Sequence, residues 1–137
     1  MSAAFRIEEY VRWGDIDAAG VICYGAYMRF IEIAETELFR AIGMAYGQVF
    51  ERFDCWLPRV RLCCEFRSPA ILDERLSVEV FAKRLGSTSI TLGFRIDKPT
   101  GARAADCELV LVCVDRAAFS PKPLPAELRA ALKPFSE

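Results

Sequence analysis

Apolar residues recur at the spacing of an α-helix between Tyr24 and Gly43. These residues follow the 3.6-residue period of a helix and form one apolar stripe, which consists of Tyr27, Phe30, Ile31, Ala34, Leu38, Ala41 and Ile42. Charged and polar side chains occupy the opposite side of the same segment. Gly43 is a suitable end, because glycine readily adopts the left-handed conformation that terminates many helices. The pattern predicts one long amphipathic helix over residues 24–43.

Outside this helix, most of the hydrophobic pattern has a period of two, which is typical of half-buried β-strands. The predicted strands are 5–12, 59–67, 74–84, 87–97 and 104–116. The last of them contains the run LVLVCV, which is apolar on both faces as in a central strand. A short helix or irregular turn is predicted over 46–53, and a terminal helix begins at Pro125.

The order of elements is strand, long helix, then four strands, and turns such as KPTG at 98–101 favour antiparallel pairing. One helix cannot cover both faces of a five-stranded sheet. The predicted fold is therefore α+β, with a curved antiparallel β-sheet wrapped around one long α-helix, in a single domain over residues 1–137. Open sheet edges and the remaining apolar positions predict that the sheet pairs with a second copy.

Composition limits the possible functions. The 137 residues include 18 basic and 19 acidic side chains, so the net charge of −1 predicts no general attraction to nucleic acid or membrane. No apolar run approaches the ~20 residues of a membrane span, and Arg6 lies too early for a signal peptide, so we expect a cytoplasmic protein. The six cysteines are expected to be reduced and mostly buried. Without histidine or a CxxC pair, neither a metal site nor a cofactor is predicted.

The candidate chemistry lies in the segment WGDIDAAGVICYGAY, residues 13–27. It places Asp15 and Asp17 in a turn just before the start of the long helix. A helix start offers unpaired backbone N–H groups and a partial positive charge, which can polarise a carbonyl or hold an anion. A neighbouring carboxylate supplies an acid, a base or a nucleophile. Because the chain has no histidine, any reaction here must use carboxylates, hydroxyls, thiols or backbone dipoles.

The motif G-D-x-D-x-x-G-x-x-x-Y-x-x-Y at the start of a long helix resembles the hotdog-fold acyl-CoA thioesterases, and most of all the 4-hydroxybenzoyl-CoA thioesterase branch. The stretches LPRVRLCCEFRSPAILDERLSVEV and GSTSITLGF are similar to later strands of that family. The resemblance spans residues 5–117. It implies a hotdog fold, hydrolysis of an aromatic or short acyl-CoA thioester, and a homodimer or homotetramer with active sites at the subunit interface.

Residue by residue, the resemblance implies that Asp17 is the catalytic carboxylate. The thioester carbonyl then points at backbone N–H groups around Tyr24, so Tyr24 and Gly25 are expected substrate-binding residues. Trp13 is a further expected contact, because its ring suits an aromatic acyl group. Tyrosine at position 24 matches the aromatic-substrate branch, whereas a bacterial envelope-associated branch usually has histidine there. Asp17 either attacks the thioester carbon directly or deprotonates a water, and the sequence leaves both routes open.

Several assignments have alternatives. Tyr24 has a structural alternative in packing at a subunit interface, and Lys83 and Arg84 have one as ordinary solvated side chains. Lys83 and Arg84 are the expected contacts for the phosphates of coenzyme A, although the basic cluster that the aromatic-substrate branch carries just beyond them is GST in this chain. Asp17 has a structural alternative as the cap of the DAAG turn. In that case the protein is a non-catalytic binder of acyl thioesters or of an acyl carrier protein. Asp15 is expected to be structural, capping the loop or meeting an arginine.

Overall fold

The computed structural model describes residues 4–137 and has the predicted α+β architecture. Its strands are β1 (Phe5–Tyr10), β2 (Cys55–Trp56), β3 (Arg59–Phe66), β4 (Arg75–Leu85), β5 (Ser89–Asp97), β6 (Arg103–Val112) and β7 (Val114–Asp115). Its helices are α1 (Tyr27–Ala41), α2 (Tyr46–Phe53) and α3 (Ala126–Leu132). None of these helices combines the length and apolar character that a membrane span requires.

Five antiparallel strands form one sheet in the order β1-β4-β5-β6-β3, and α1 lies against it. The alternation predicted for the two central strands is confirmed, since one face of each is fully buried. The buried residues are Leu76, Val78, Val80 and Ala82 on β4, and Ile90, Leu92, Phe94 and Ile96 on β5. The core therefore lies between this face of the sheet and the long helix, as expected for a hotdog fold.

The long helix begins at Tyr24 as predicted, but its first turn, Tyr24–Ala26, is a 3₁₀ turn that leads into α1. It ends before Gly43, whose φ of 77° gives the left-handed conformation expected at a helix end. Most of the predicted stripe is buried, but Ala41 is exposed and Phe39 is fully buried instead. The reason is that α2 packs on the end of α1, where the Phe39 ring lies 4.4 Å from that of Tyr46.

The predicted strand over 104–116 is divided in two. β6 ends at Val112, and the backbone N–H of Cys113 donates to Thr88 O, in the loop before β5, at 2.7 Å. β7 then pairs with β2, a two-residue strand that the sequence did not indicate. All six cysteines are free thiols; Cys55, Cys107 and Cys113 are buried, Cys23 and Cys64 are half-buried, and Cys63 is exposed. The expectation of mostly buried cysteines is therefore met for half of them.

β3 forms one edge of the sheet and pairs only with β6 among the described residues. Its apolar side chains are unusually accessible, with exposed fractions of 60% for Val60, 36% for Leu62 and 55% for Phe66. An open edge that carries exposed apolar residues is a surface that another chain can cover.

Candidate active site

The segment before the long helix is a small hairpin with Asp17 near its tip. The N–H of Asp17 donates to Val21 O at 3.0 Å, and Gly20, with a φ of 78°, closes the turn by donating to Asp17 O. At the base of the hairpin, the N–H of Cys23 donates to Asp15 O at 2.7 Å. Because Cys23 directly precedes the helix, the hairpin holds Asp17 in a fixed relation to the helix start.

The carboxylate of Asp17 is exposed at the hairpin tip. Its Oδ1 accepts the N–H of Ala19 at 2.8 Å, and its Oδ2 accepts no hydrogen bond from residues 4–137. Asp17 lines an open groove of about 370 Å³. The other lining residues are Ile22, Tyr24, Tyr27, Phe66, Arg67, Ser68 and Pro69. One oxygen of the carboxylate is therefore held by its own loop, while the other is available to a molecule in the groove.

The helix start contributes Tyr24 to the same groove. In the 3₁₀ turn, the N–H of Ala26 donates to Cys23 O at 2.9 Å. The amides of Tyr24 and Gly25 come first in the turn, where N–H groups have no carbonyl one turn earlier to bond to. In residues 4–137 neither amide donates a backbone hydrogen bond. The Tyr24 side chain is 78% exposed.

Asp15 is buried at the base of the hairpin, with an exposed fraction of 5%. Its Oδ2 accepts the N–H of Arg12 at 2.7 Å, and both carboxylate oxygens accept from the guanidinium of Arg29. Burial by itself would raise the pKa of Asp15, but the hydrogen bonds from Arg29 and Arg12 outweigh it and hold that pKa below its ordinary value. The predicted structural role of Asp15, capping the loop and meeting an arginine, is confirmed.

Tyr27 forms a wall of the groove and does not act as a proton donor. Its side chain is 3% exposed, and its ring lies 5.2 Å from that of Phe66. Burial, with a smaller contribution from the thiols of Cys107 and Cys64, raises the pKa of Tyr27 to about 12. The phenol therefore remains protonated and neutral at physiological pH.

Two of the expected substrate-binding residues do not line the groove of one protomer. Trp13 lies in the 3₁₀ turn Trp13–Asp15 with an exposed fraction of 78%. Gly25 is exposed at the helix start. The groove residues Phe66, Arg67, Ser68 and Pro69, which the sequence did not connect with Asp17, come from the end of β3 and the loop after it. No cluster of histidine, cysteine and acidic side chains within residues 4–137 is arranged to hold a metal ion.

The expected coenzyme A contacts lie at the far end of β4. Its beginning, at Arg75, is the end nearest the hairpin, because Val21 pairs with Ile71 just before it. Lys83 lies eight positions along this extended strand from Arg75, roughly 25 Å at ~3.3 Å per residue. Lys83 is paired with Glu108, with Nζ and Oε2 3.0 Å apart. One protomer therefore does not bring Lys83 and Arg84 to the groove.

A long helix packed against a five-stranded antiparallel sheet is the hotdog fold, and here an exposed carboxylate lies in a groove that the start of the helix also lines. The sequence relationship agrees, because the model of the thioesterase-like superfamily matches residues 11–132. The chain belongs to this superfamily and is a thioesterase, an enzyme that hydrolyses thioesters.

Individual relatives support the same class. The chain is 28% identical to the acyl-CoA thioester hydrolase YbgC of Escherichia coli over 94% of its own length and 96% of that protein. It is 24% identical to a 1,4-dihydroxy-2-naphthoyl-CoA hydrolase of Synechococcus elongatus, over 93% of each chain. The crystal structure of a 1,4-dihydroxy-2-naphthoyl-CoA thioesterase from Synechocystis superposes with a TM-score of 0.88 at 21% identity, covering 95% of this chain and 96% of that one. This last similarity shows the shared fold.

Proposed function

We propose that the protein hydrolyses an acyl-CoA thioester with an aromatic or short acyl group to the free acid and coenzyme A, using Asp17 as the catalytic carboxylate. The observation that carries this proposal is the exposed carboxylate of Asp17 in a groove that Tyr24 of the helix start also lines. The names of the relatives support acyl-CoA as the substrate class, since both YbgC and the naphthoyl-CoA hydrolases act on such thioesters.

In the proposed reaction, the first amides of the helix, at Tyr24 and Gly25, donate to the thioester carbonyl oxygen. They stabilise the negative charge that develops on this oxygen in the transition state. Oδ2 of Asp17 attacks the carbonyl carbon, the carbon–sulfur bond breaks, and coenzyme A leaves as a thiolate. Water then opens the mixed anhydride, which releases the acid and restores the carboxylate.

A second route uses the same carboxylate as a general base. Asp17 takes a proton from a water molecule while the water oxygen attacks the carbonyl carbon, and the thiolate leaves from the resulting tetrahedral intermediate. Both routes give the same products and both require Asp17. We favour direct attack, and Oδ2, which accepts no hydrogen bond within residues 4–137, has a lone pair available for either route.

The walls of the groove favour an aromatic acyl group. The rings of Tyr27 and Phe66, tilted by 30° to each other, present apolar surfaces to the groove, and aromatic rings pack well on such surfaces. The naphthoyl group in the names of several relatives is consistent with this preference. Trp13 is proposed as a further contact with the substrate in the assembled protein.

We further propose that the protein is a homodimer, with dimers paired into a tetramer. The open edge of β3 then pairs with β3 of a second copy to give a continuous sheet, which covers Val60 and Leu62. In such an assembly Lys83 and Arg84 contact coenzyme A only if they come from a neighbouring copy, since they lie far from the groove of their own protomer.

A thiol-release assay over a panel of thioesters tests this function. The panel comprises benzoyl-CoA, 4-hydroxybenzoyl-CoA, 1,4-dihydroxy-2-naphthoyl-CoA, butyryl-CoA and palmitoyl-CoA. We expect kcat/KM for the best aromatic or short substrate to exceed that for palmitoyl-CoA by at least about tenfold, the discrimination that a pocket of limited size provides. Fastest turnover of palmitoyl-CoA would overturn the substrate class. Binding without turnover of any thioester would make the protein a non-catalytic binder.

A further inference from the structure

Arg29, in the first turn of α1, joins three segments of the chain through one guanidinium group. Its Nε donates to Asp15 Oδ1 at 3.1 Å, and its Nη2 donates to Asp15 Oδ2. Its Nη1 donates to Glu9 Oε2 at 2.6 Å, and Nη2 also donates to the carbonyl of Tyr10 at 3.1 Å. The helix, strand β1 and the base of the hairpin are therefore held together at a single side chain.

Asp15, which Arg29 binds, is connected to both parts of the candidate site, the helix start and the Asp17 carboxylate. The backbone carbonyl of Asp15 accepts the N–H of Cys23, which directly precedes Tyr24 and the first helix amides. Two residues beyond Asp15, the hairpin carries Asp17, whose N–H is fixed to Val21 O. A movement of Asp15 relative to α1 would therefore change the separation between the Asp17 carboxylate and the helix amides.

We propose that Arg29 is a positioning residue for thioester hydrolysis, which holds the Asp17 hairpin in register with the helix amides that polarise the thioester carbonyl. The inference rests on the proposed function, because it assigns no contact between Arg29 and the substrate. Its effect reaches the reaction through Asp15 and the hairpin alone.

The geometry of the guanidinium accounts for the choice of arginine at this position. Its planar fork satisfies both oxygens of Asp15 and still reaches Glu9, whereas the ammonium of lysine is a single point of charge that cannot form the fork. Lysine would keep the positive charge but leave the hairpin free to shift. A misplacement of ~1 Å can cost about 100-fold in rate, because reacting groups must be held in a near-attack arrangement.

Arg29→Lys tests the proposal, with Arg116→Lys as its matched control. The side chain of Arg29 is 34% exposed, and its guanidinium carbon lies 4.6 Å from the Phe30 ring centroid. The side chain of Arg116 is 29% exposed, and its guanidinium carbon lies 4.4 Å from the Trp56 ring centroid. Its Nη1 donates to a backbone carbonyl at 3.0 Å. Arg116 also meets two carboxylates, but it lies beyond β7, away from the hairpin. Both substitutions keep the charge and remove the planar fork.

We expect Arg29→Lys to lower kcat for benzoyl-CoA hydrolysis by at least about tenfold while KM changes by less than about threefold, since the change affects geometry in the transition state. Arg116→Lys should leave kcat within about twofold of wild type. Circular dichroism and Tm, measured on both variants at one protein concentration, separate positioning from simple loss of fold. An unchanged kcat in Arg29→Lys, or a kcat that falls in both variants in step with Tm, would overturn the proposal.

Asp15→Asn provides a second variant should Arg29→Lys fail to fold, because the amide keeps the shape of the side chain but weakens its pairing with Arg29. We expect the same selective loss of kcat, and a wild-type kcat in a folded Asp15→Asn protein would contradict the positioning role. Asp17→Asn is measured beside it. Lost activity in Asp17→Asn with normal kcat in the Arg29 and Asp15 variants would remove only the positioning role, whereas normal activity in Asp17→Asn would remove the proposed catalytic carboxylate.

Discussion

Two carboxylates in residues 4–137 are buried, and each is paired with an arginine distant in sequence. Asp15 meets Arg29, 14 residues away, and Glu35, with an exposed fraction of 4%, accepts from Arg59 Nη2 at 2.5 Å across 24 residues. Burial raises the pKa of Glu35 despite the nearby Arg59, whereas the pKa of Asp15 is lowered. The sequence indicated a partner for Asp15 but not which arginine, because such pairings depend on tertiary structure.

The pairing of Asp15 predicts a specific change in acid stability. A carboxylate whose pKa is lowered by folding stabilises the protein above its ordinary value of 3.8, and this contribution is lost as pH falls through the lower folded-state pKa. We expect the free energy of unfolding of wild type to fall more steeply between pH 5 and about 3 than that of Asp15→Asn. Urea denaturation at fixed protein concentration measures both slopes. Equal slopes would mean that Asp15 is not stabilised as an anion in the folded state.

At the scale of the element, the hydrophobic period located each long strand and the long helix, most clearly β4 and β5, which bury one continuous face. It failed for β2 and β7, since two residues are too few to show a period. It also assigned Ala41 to the buried stripe and missed Phe39. The cause is that α2 covers the end of α1 from a direction that the pattern of α1 alone does not contain.

The difference between these two helix positions is measurable. Phe39→Ala removes a fully buried ring, and we expect it to lower the free energy of unfolding by about 3–5 kcal/mol through the cavity that it leaves. Ala41→Ser lies on the same helix at an exposed position, and its effect should be within about 0.5 kcal/mol. Chemical denaturation of both variants provides the comparison. If Ala41→Ser lowered the free energy of unfolding by more than Phe39→Ala, Ala41 would belong to the buried stripe that the sequence predicted.

At the scale of the whole molecule, the sheet topology determines which residues meet at the groove. The motif associated Asp17 with Tyr24 because both lie within one short segment, and both line the groove. The opposite wall of the groove, formed by Phe66 and the residues after it, was not predictable from the local pattern. Phe66 contacts Tyr27 because the sheet topology places β3 at an edge of the sheet, beside the start of the helix. Trp13 and Lys83 do not line the groove within one chain, so they would contact the substrate only in the proposed assembly.

The proposed continuous sheet predicts that a charge on the apolar face of β3 separates the copies. Leu62→Arg should give a monomer in analytical ultracentrifugation and abolish turnover, because burying an unpaired charge in an interface is costly. Cys63→Arg adds the same charge at the next position, where the side chain points to the other face of the strand. It should leave the dimer intact. A stable dimer in Leu62→Arg would show that the copies associate through another surface.

The most direct test of the central claim compares hydrolysis by Asp17→Asn with that by Asp115→Asn, on the best thioester of the panel. Asparagine keeps the oxygen that accepts the N–H of Ala19, so a residue that only caps its turn tolerates the change. Asp115 is the matched control, because its carboxylate accepts the N–H groups of Ala117 and Ala118 at 3.1 and 2.7 Å.

We expect kcat/KM of Asp17→Asn to fall by at least about 100-fold, the usual effect of losing a catalytic acid, base or nucleophile, while Asp115→Asn stays within about twofold of wild type. Near-wild-type kcat/KM in Asp17→Asn would contradict the assignment of this carboxylate as the catalytic group.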